Sequence, residues 1–509
     1  MQYICINVGG SRGKVKVGMG AKLQDWSQYR HKQTQSTIIA FRLGLTHQGS
    51  ALFAASMRLT IPFLSLLLVT GIASGADERP NIVLILSDDQ AWTDYSFMGH
   101  EHIETPHLDK LSERSSVFRR GYVPTALCRP SLMTLATGLF THQHMISGND
   151  PSPELTGGKK SGPEYDALRE KLISNVERVP TIMRLLSEAG YLTHQSGKWW
   201  EGNYSRGGFT HGMTRGFPKP GGRHGDDGLK IGREGMEPIF DFVEHAMEEE
   251  KPFYLWYAPF LPHTPHNPPE ELFKKYRAKV DSDFVARYYA MCEWFDITCG
   301  QLIDFIDEKG LSENTMFVYI CDNGWIQSVD SGKYALRSKQ SANEGGTRQP
   351  TMYCWPGVIE PGDRGNQLAS SIDIVPTMLA AAGIEAPEGL PGMNLMPILK
   401  SGKPTPREEV LGETFAHDIA NVDRPEDSLI YRWIVRGQWK LLLTYDGKVN
   451  RYATTHPRTE KRPQLFNLLE DPHENTNLAS GNPRVVKELA TDIRNWWTVE
   501  DRNVLEAWE

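Results

Sequence analysis

Residues 81–89 read NIVLILSDD: an unbroken apolar, β-branched run that ends in a serine and two aspartates. Unbroken apolarity, without alternation, is the pattern of a strand buried on both faces, as in a parallel sheet covered by helices. The same grammar recurs downstream. YLTHQSGKW (191–199), PFYLWYAPF (252–260) and TMFVYICDNG (315–324) read as further strands. Between them, PTIMRLLSEAG (180–190), residues 283–309 and DIVPTMLAAAGI (373–384) carry helical spacing with Pro near the start or Gly at the stop. Strands separated by helices predict an α/β fold with a large, mostly parallel sheet flanked by helices.

Beyond KSGKPTP (400–406), a linker-like stretch, the pattern changes. YRWIVRGQWKLLLTYDG (431–447) predicts a hairpin turning at Gly437, and residues 483–497 predict a closing helix. The tail is therefore expected to be a small α+β domain with an antiparallel sheet. The expected organisation is a main domain over 79–400 and a C-terminal subdomain over 407–509.

With 509 residues, 39% hydrophobic content and a net charge of -8, the chain is long enough for a large core and lacks the basic footprint of a nucleic-acid binder. Its six cysteines form neither a zinc pattern nor a disulfide framework. Residues 57–76, MRLTIPFLSLLLVTGIASGA, read as a signal peptide, too short in its apolar part to provide a stable membrane span. The expectation is a periplasmic or secreted protein that starts at Met57, with residues 1–56 a mis-called extension.

Ligands of doubly wound sheets sit outside the carboxyl ends of the strands. There the first strand delivers Asp88 and Asp89, and TMFVYICDNG delivers Asp322 and Asn323. Neighbouring carboxylates at the end of an apolar strand repel and are costly to desolvate, and a divalent cation offsets both costs. An all-oxygen set of three carboxylates and one amide suits Ca2+ or Mg2+. Lys198, His263 and Lys339 fall on loops of the same rim and would meet a charged oxyanion. In TALCRPSLMTLATG (125–138), Cys128 falls at a predicted helix start, where the positive helix end lowers a thiol pKa.

Taken together, these motifs resemble the type I, formylglycine-dependent sulfatases of the alkaline-phosphatase-like superfamily, from about Arg79 to the C-terminus. The family signature, Cys-x-Pro-Ser-Arg followed by Leu-x-Thr-Gly, is matched by Cys128-Arg-Pro-Ser-Leu132 and Leu135-Ala-Thr-Gly138. SDD, GKW, PHTP, CDNG and K-x-x-x-x-EGG-x-R follow in the family's order. The resemblance implies hydrolysis of a sulfate ester, with Cys128 converted to Cα-formylglycine by a formylglycine-generating maturation enzyme. It also implies one divalent cation held by Asp88, Asp89, Asp322, Asn323 and residue 128. Lys198 and Lys339 would contact the sulfate, and His263 would face it and protonate the leaving alcohol.

Two positions depart from the pattern. Leu132 stands where the family has Arg, and Trp200 where it has a His that assists sulfate release; His142, His144, His194 and His211 are candidate replacements. A tryptophan-rich rim of Trp199, Trp200, Trp256 and Trp325 would stack on a sugar, so the expected partner is a sulfated small molecule or carbohydrate. The competing readings are a phosphate or phosphonate ester hydrolase of the same superfamily, and a sulfated-glycan-binding protein without turnover.

Overall fold

A computed structural model describes residues 79–448 and 462–499; the expected signal peptide at 57–76 and extension at 1–56 lie outside them. Asn81–Ser87 forms the centre of an eight-stranded sheet. It pairs in parallel with Phe253–Ala258 on one side and Thr315–Cys321 on the other. Beyond Phe253–Ala258 come Leu192–Gly197 and His211–Gly212, both parallel. Beyond Thr315–Cys321 comes Thr351–Cys354, which runs antiparallel to both its neighbours, then Ser116–Phe118 and Gly362–Asp363. The sheet is thus mostly parallel, as expected, with a single reversed strand that the sequence pattern did not reveal.

Alternation along the central strand explains the layers. Ile82, Leu84 and Leu86 enter one core with residues of the helices Cys128–Thr137, Ile182–Glu188 and Ile374–Ala381. Val83 and Ile85 enter the opposite core with the helices Pro106–Glu113, Glu237–Glu248 and Asp283–Glu308. Every residue of the strand is buried, and each aliphatic side chain removed from water contributes about 2 kcal/mol. Among the described cysteines none is paired.

The tail folds as a four-stranded antiparallel sheet in the order Glu409–Phe415, Leu429–Arg436, Trp439–Thr444, Gln464–Asn467. Gly437 takes the left-handed backbone of the predicted hairpin turn (φ 55°). The helix Pro483–Trp496 lays Val486, Leu489, Ala490 and Ile493 on this sheet. Among the described residues no helix is long and apolar enough to cross a membrane.

Parallel strands deliver their carboxyl ends to one edge. Asp88 and Asp89, Lys198, the loop after Ala258 and the pair Asp322–Asn323 therefore arrive together. Gly197 makes this possible at its strand end. Its φ is 89°, and a Cβ there would lie 1.7 Å from the Ala258 carbonyl oxygen, which accepts from the Lys198 backbone N–H at 2.8 Å. Gly197→Ala should destabilise the protein by about 2 kcal/mol or more, because positive φ alone costs about 1–2 kcal/mol and the two strands must also part. Urea unfolding of variant and parent measures this.

Candidate active site

Cys128 is the first residue of a ten-residue helix, whose third position is Pro130. The loop before it is pinned from three distant segments. Val123 N–H donates to the Thr347 carbonyl (2.8 Å), Gln340 N–H to Ala126 (2.7 Å), and the Thr125 hydroxyl to Glu413 (2.7 Å). The thiol consequently faces the sheet edge, 4.0 Å from Asp88 Oδ1 and 3.9 Å from Asp89 Oδ1.

The residues expected at this edge converge. Lys198 Nζ donates to Asp88 Oδ1 at 2.7 Å. Lys339 Nζ donates to both Asp89 oxygens at 2.6 Å and to Cys128 Sγ at 3.1 Å. Asn323 Nδ2 donates to Asp89 Oδ1 at 2.6 Å, and the Asp89 N–H to Asp322 Oδ1 at 3.1 Å. His263 Nε2 lies 3.3 Å from Asp89 Oδ2. Its loop carries cis bonds before Pro262 and Pro265 and is held by Arg233, which donates to the Phe260 and His263 carbonyls.

Charge in this cluster is unbalanced. Asp88, Asp89 and Asp322 bring three negative charges against the two of Lys198 and Lys339, all five buried. Burial pushes Asp88 and Asp322 up, against the pull of Lys198. Burial also acts on Asp89, but Lys339 foremost, then His263 and Lys198, outweighs it and holds that carboxyl below the usual range. Lys198 and Lys339 are desolvated too, yet Asp88 and Asp89 respectively raise them above an ordinary lysine. Burial drives His263 towards the neutral imidazole.

Three buried acceptors, Asp88 Oδ2, Asp322 Oδ2 and Asn323 Oδ1, have no hydrogen-bond partner. Orphaned oxygens of this kind are rare and costly. The side chains of Asp88, Asp89, Cys128 and His263 also bring ligand atoms within 4.8 Å of one another. A hard divalent cation fits this donor set, satisfying the open oxygens and outweighing the single excess negative charge.

The thiol itself departs from expectation. Burial, helped by Asp322 and Asp89 and only partly opposed by Lys198 and Lys339, pushes Cys128 up to about 12. The helix end does not make it a thiolate, because desolvation and the carboxylates outweigh the dipole. An unmodified Cys128 is therefore a protonated, poor nucleophile at neutral pH.

The two departing positions also have structural accounts. Leu132 is buried in the core that packs against the sheet. Arg129, by contrast, forms a buried bidentate pair with Glu201: Nε to Oε1 at 2.7 Å and Nη2 to Oε2 at 2.6 Å. Its Nη1 donates to the Asn149 carbonyl, and its backbone N–H to Asn149 Oδ1.

A cavity of roughly 320 Å3 opens over the cluster, lined by Cys128, Trp200, His263, Trp325, Lys339 and neighbours including His224 and His417. None of His142, His144, His194 and His211 lines it. His142 sits on Glu413 and Trp497, His144 on Thr134, and His194 and His211 on Phe242. Of the expected tryptophan rim, Trp200 and Trp325 line the cavity, whereas Trp199 and Trp256 lie in the core. His224, tilted against the Trp200 ring at 5.3 Å, and His417, whose Nε2 lies 3.3 Å from Asn149 Nδ2, escaped the sequence reading. Both sit in stretches without periodicity, and His417 comes from the C-terminal sheet's side of the chain.

Comparison with known proteins agrees with this architecture. The family model Sulfatase matches residues 80–384, and that for N-sulphoglucosamine sulphohydrolase, C-terminal, matches 332–497. Arylsulfatase A of Homo sapiens is 27% identical over 485 residues, covering 84% of this chain and 89% of that protein. N-acetylgalactosamine-6-sulfatase of Canis lupus familiaris is 26% identical over 456 residues, covering 79% and 82%. The crystal structure of Ps i-CgsB in complex with k-i-k-neocarrahexaose superposes with a TM-score of 0.63 at 24% identity, covering 82% of this chain and 92% of that one.

The Arg129–Glu201 pair is 2% and 1% exposed, so removing one partner strands a buried charge. Arg129→Ala should cost about 3–5 kcal/mol, and Arg129→Met with Glu201→Leu should recover most of it. Denaturant melts of the two variants compare these losses.

Proposed function

Because the chain belongs to the sulfatase family, we propose that it hydrolyses the sulfate ester of a carbohydrate through Cα-formylglycine formed from Cys128, beside a divalent cation, Ca2+ or Mg2+. The chain is a sulfuric ester hydrolase by its family. The observation that carries the finer reading is the set of three open, buried oxygens on Asp88, Asp322 and Asn323, at the strand ends whose Asp88 and Asp89 lie 4.0 and 3.9 Å from the Cys128 thiol. A thiol pushed up to about 12 is a poor nucleophile, which favours its replacement by an oxygen nucleophile.

Asp88, Asp89, Asp322 and Asn323, with residue 128, would hold the cation, which supplies Lewis acidity to an oxygen bound to it. Formylglycine at position 128 would supply a hydrated carbonyl, a nucleophile with two oxygens where the thiol has one sulfur. Lys198 and Lys339 stay ammonium and bind the sulfate oxygens, where they stabilise the charge that grows as the S–O bond breaks. His263 donates from Nδ1 to the Thr264 carbonyl, 2.6 Å away. That carbonyl only accepts, so the neutral ring keeps its one proton on Nδ1, and His263 would protonate the departing alcohol only after Nε2 takes up a second proton. Trp200 covers Lys198 at 5.0 Å and, with Trp325, offers flat apolar faces to a sugar ring.

We assign this chemistry to a catalytic domain over 79–400, with a subdomain over 407–509 that lends His417 to the cavity wall. The maturation enzyme would act on Cys128, and the leader at 57–76 would direct the protein to the periplasm or outside. The N-acetylgalactosamine-6-sulfatase relatives favour a sulfated sugar as substrate.

Mass spectrometry of the Cys128 peptide from the native host should show the thiol replaced by an aldehyde. Cys128→Ala should lose turnover of 4-nitrophenyl sulfate by roughly 10^3-fold or more, and full turnover in that variant would overturn the assignment. Chelation should abolish activity and lower the melting temperature, with both restored by Ca2+ or Mg2+, since a cation bound only by the folded chain stabilises it.

A further inference from the structure

We propose that a second cavity, walled by Asp150, Tyr165, Arg169, Arg223 and Asp418 and adjoining the catalytic one, binds another anionic group of the same glycan, a sulfate or a carboxylate. It measures roughly 540 Å3, which is room for a saccharide unit bearing such a group. Arg223 and His417 belong to both cavity walls, so a ligand reaching from one to the other passes between them. Of the hydrolase reading, the proposal borrows only the glycan character of that ligand.

The walls carry an excess of positive charge. Lys160, Arg169 and Arg223 stand against Asp150 and Asp418. Asp150 receives Arg223 Nε at 3.2 and 3.0 Å and Arg169 Nη2 at 2.9 Å. Burial pushes this carboxyl up, but Arg223 first, then Arg169 and Arg129, holds it ionised below its ordinary range. One carboxylate thus serves two guanidinium groups, while Asp418 is engaged by His417 Nδ1 at 2.5 Å. The lining holds three cationic side chains and two carboxylates, a balance that an anion meets better than a neutral sugar.

Placement favours recognition over a loose surface attraction. The Arg169 side chain is only 17% exposed and is held between the rings of Tyr165 and Phe217, at 5.4 and 5.3 Å. Arg223 lies 5.9 Å from the Trp200 ring on the catalytic side. Guanidinium groups fixed in this way lose little freedom on binding, and their planar forks match the oxygens of sulfate and carboxylate. Such a site would select polyanionic chains over singly sulfated sugars.

Equilibrium binding to the full chain tests this, with a heparin tetrasaccharide, its fully desulfated form and neutral maltotetraose as probes. The heparin probe should bind at least about tenfold tighter than maltotetraose, and Arg169→Ala should remove about tenfold of that affinity, the worth of one charge-assisted contact. Arg169→Lys, which keeps the charge without the fork, should fall between. Retained affinity for the desulfated probe identifies a carboxylate as the preferred group, and its loss a sulfate. Equal binding of charged and neutral probes, or unchanged affinity in an Arg169→Ala protein with an intact melting transition, would overturn the proposal. Should Arg169→Ala fail to fold, the Arg169→Lys series and the parent's charged-to-neutral ratio decide. Turnover of 4-nitrophenyl sulfate by the same preparation reports separately on the hydrolase reading.

Discussion

Three carboxylates buried at one edge of a parallel sheet, with only two lysines to answer them, constrain everything around them. The sheet creates the problem by bringing Asp88, Asp89 and Asp322 to a common end, inside strands that exclude water. Lys198 and Lys339 neutralise part of it, and Asn323 and the Asp89 backbone N–H share more. Asp88 Oδ2, Asp322 Oδ2 and Asn323 Oδ1 remain open, and a cation would answer them. In the proposed site that charge is also the catalytic Lewis acid, so the group that makes the fold tolerable is the group that makes it reactive.

Holding a side chain against such a cluster demands a rigid approach. The loop before Cys128 obtains it from segments near residues 340, 347 and 413, so even the C-terminal sheet takes part in placing the thiol. Gly324 shows the same tightness. A Cβ there would lie 1.9 Å from the Gly345 carbonyl oxygen, and its N–H donates to Gly346 at 2.9 Å. The Asp322–Asn323 pair and the loop that carries Lys339 are thereby locked to each other.

What the sequence made legible follows from what is local. Apolar runs, capping grammar and strand-end carboxylates are properties of neighbouring residues, and they located the sheet, its flanking helices and the convergent edge. The reversed strand Thr351–Cys354 has no local mark, because its direction is set by pairing with strands distant in the chain. The thiol was misread for a related reason. A helix start suggests a lowered pKa, but full burial, helped by Asp322 and Asp89, decides the sign, and both are tertiary. Trp199 and Trp256 lie in the core rather than on the expected rim, since an aromatic residue in or just after a strand reads alike whether it turns inward or towards a cavity.

Leu132 and Trp200 stand next to a buried ion pair that holds the frame of the cavity. A leucine on the helix face gives up a cation close to residue 128, and a tryptophan after Lys198 gives up an imidazole. In the same neighbourhood Arg129 and Glu201, one residue past Cys128 and one past Trp200, are buried as a bidentate pair. Burying that pair is worthwhile only if it holds geometry, since its Coulomb energy is largely offset by desolvation. The geometry it holds is that of Asn149, which accepts from the Arg129 N–H and lies beside His417. The Arg129 cation thus belongs to the frame behind the cavity, and His224 and His417 are the imidazoles of the cavity wall besides His263.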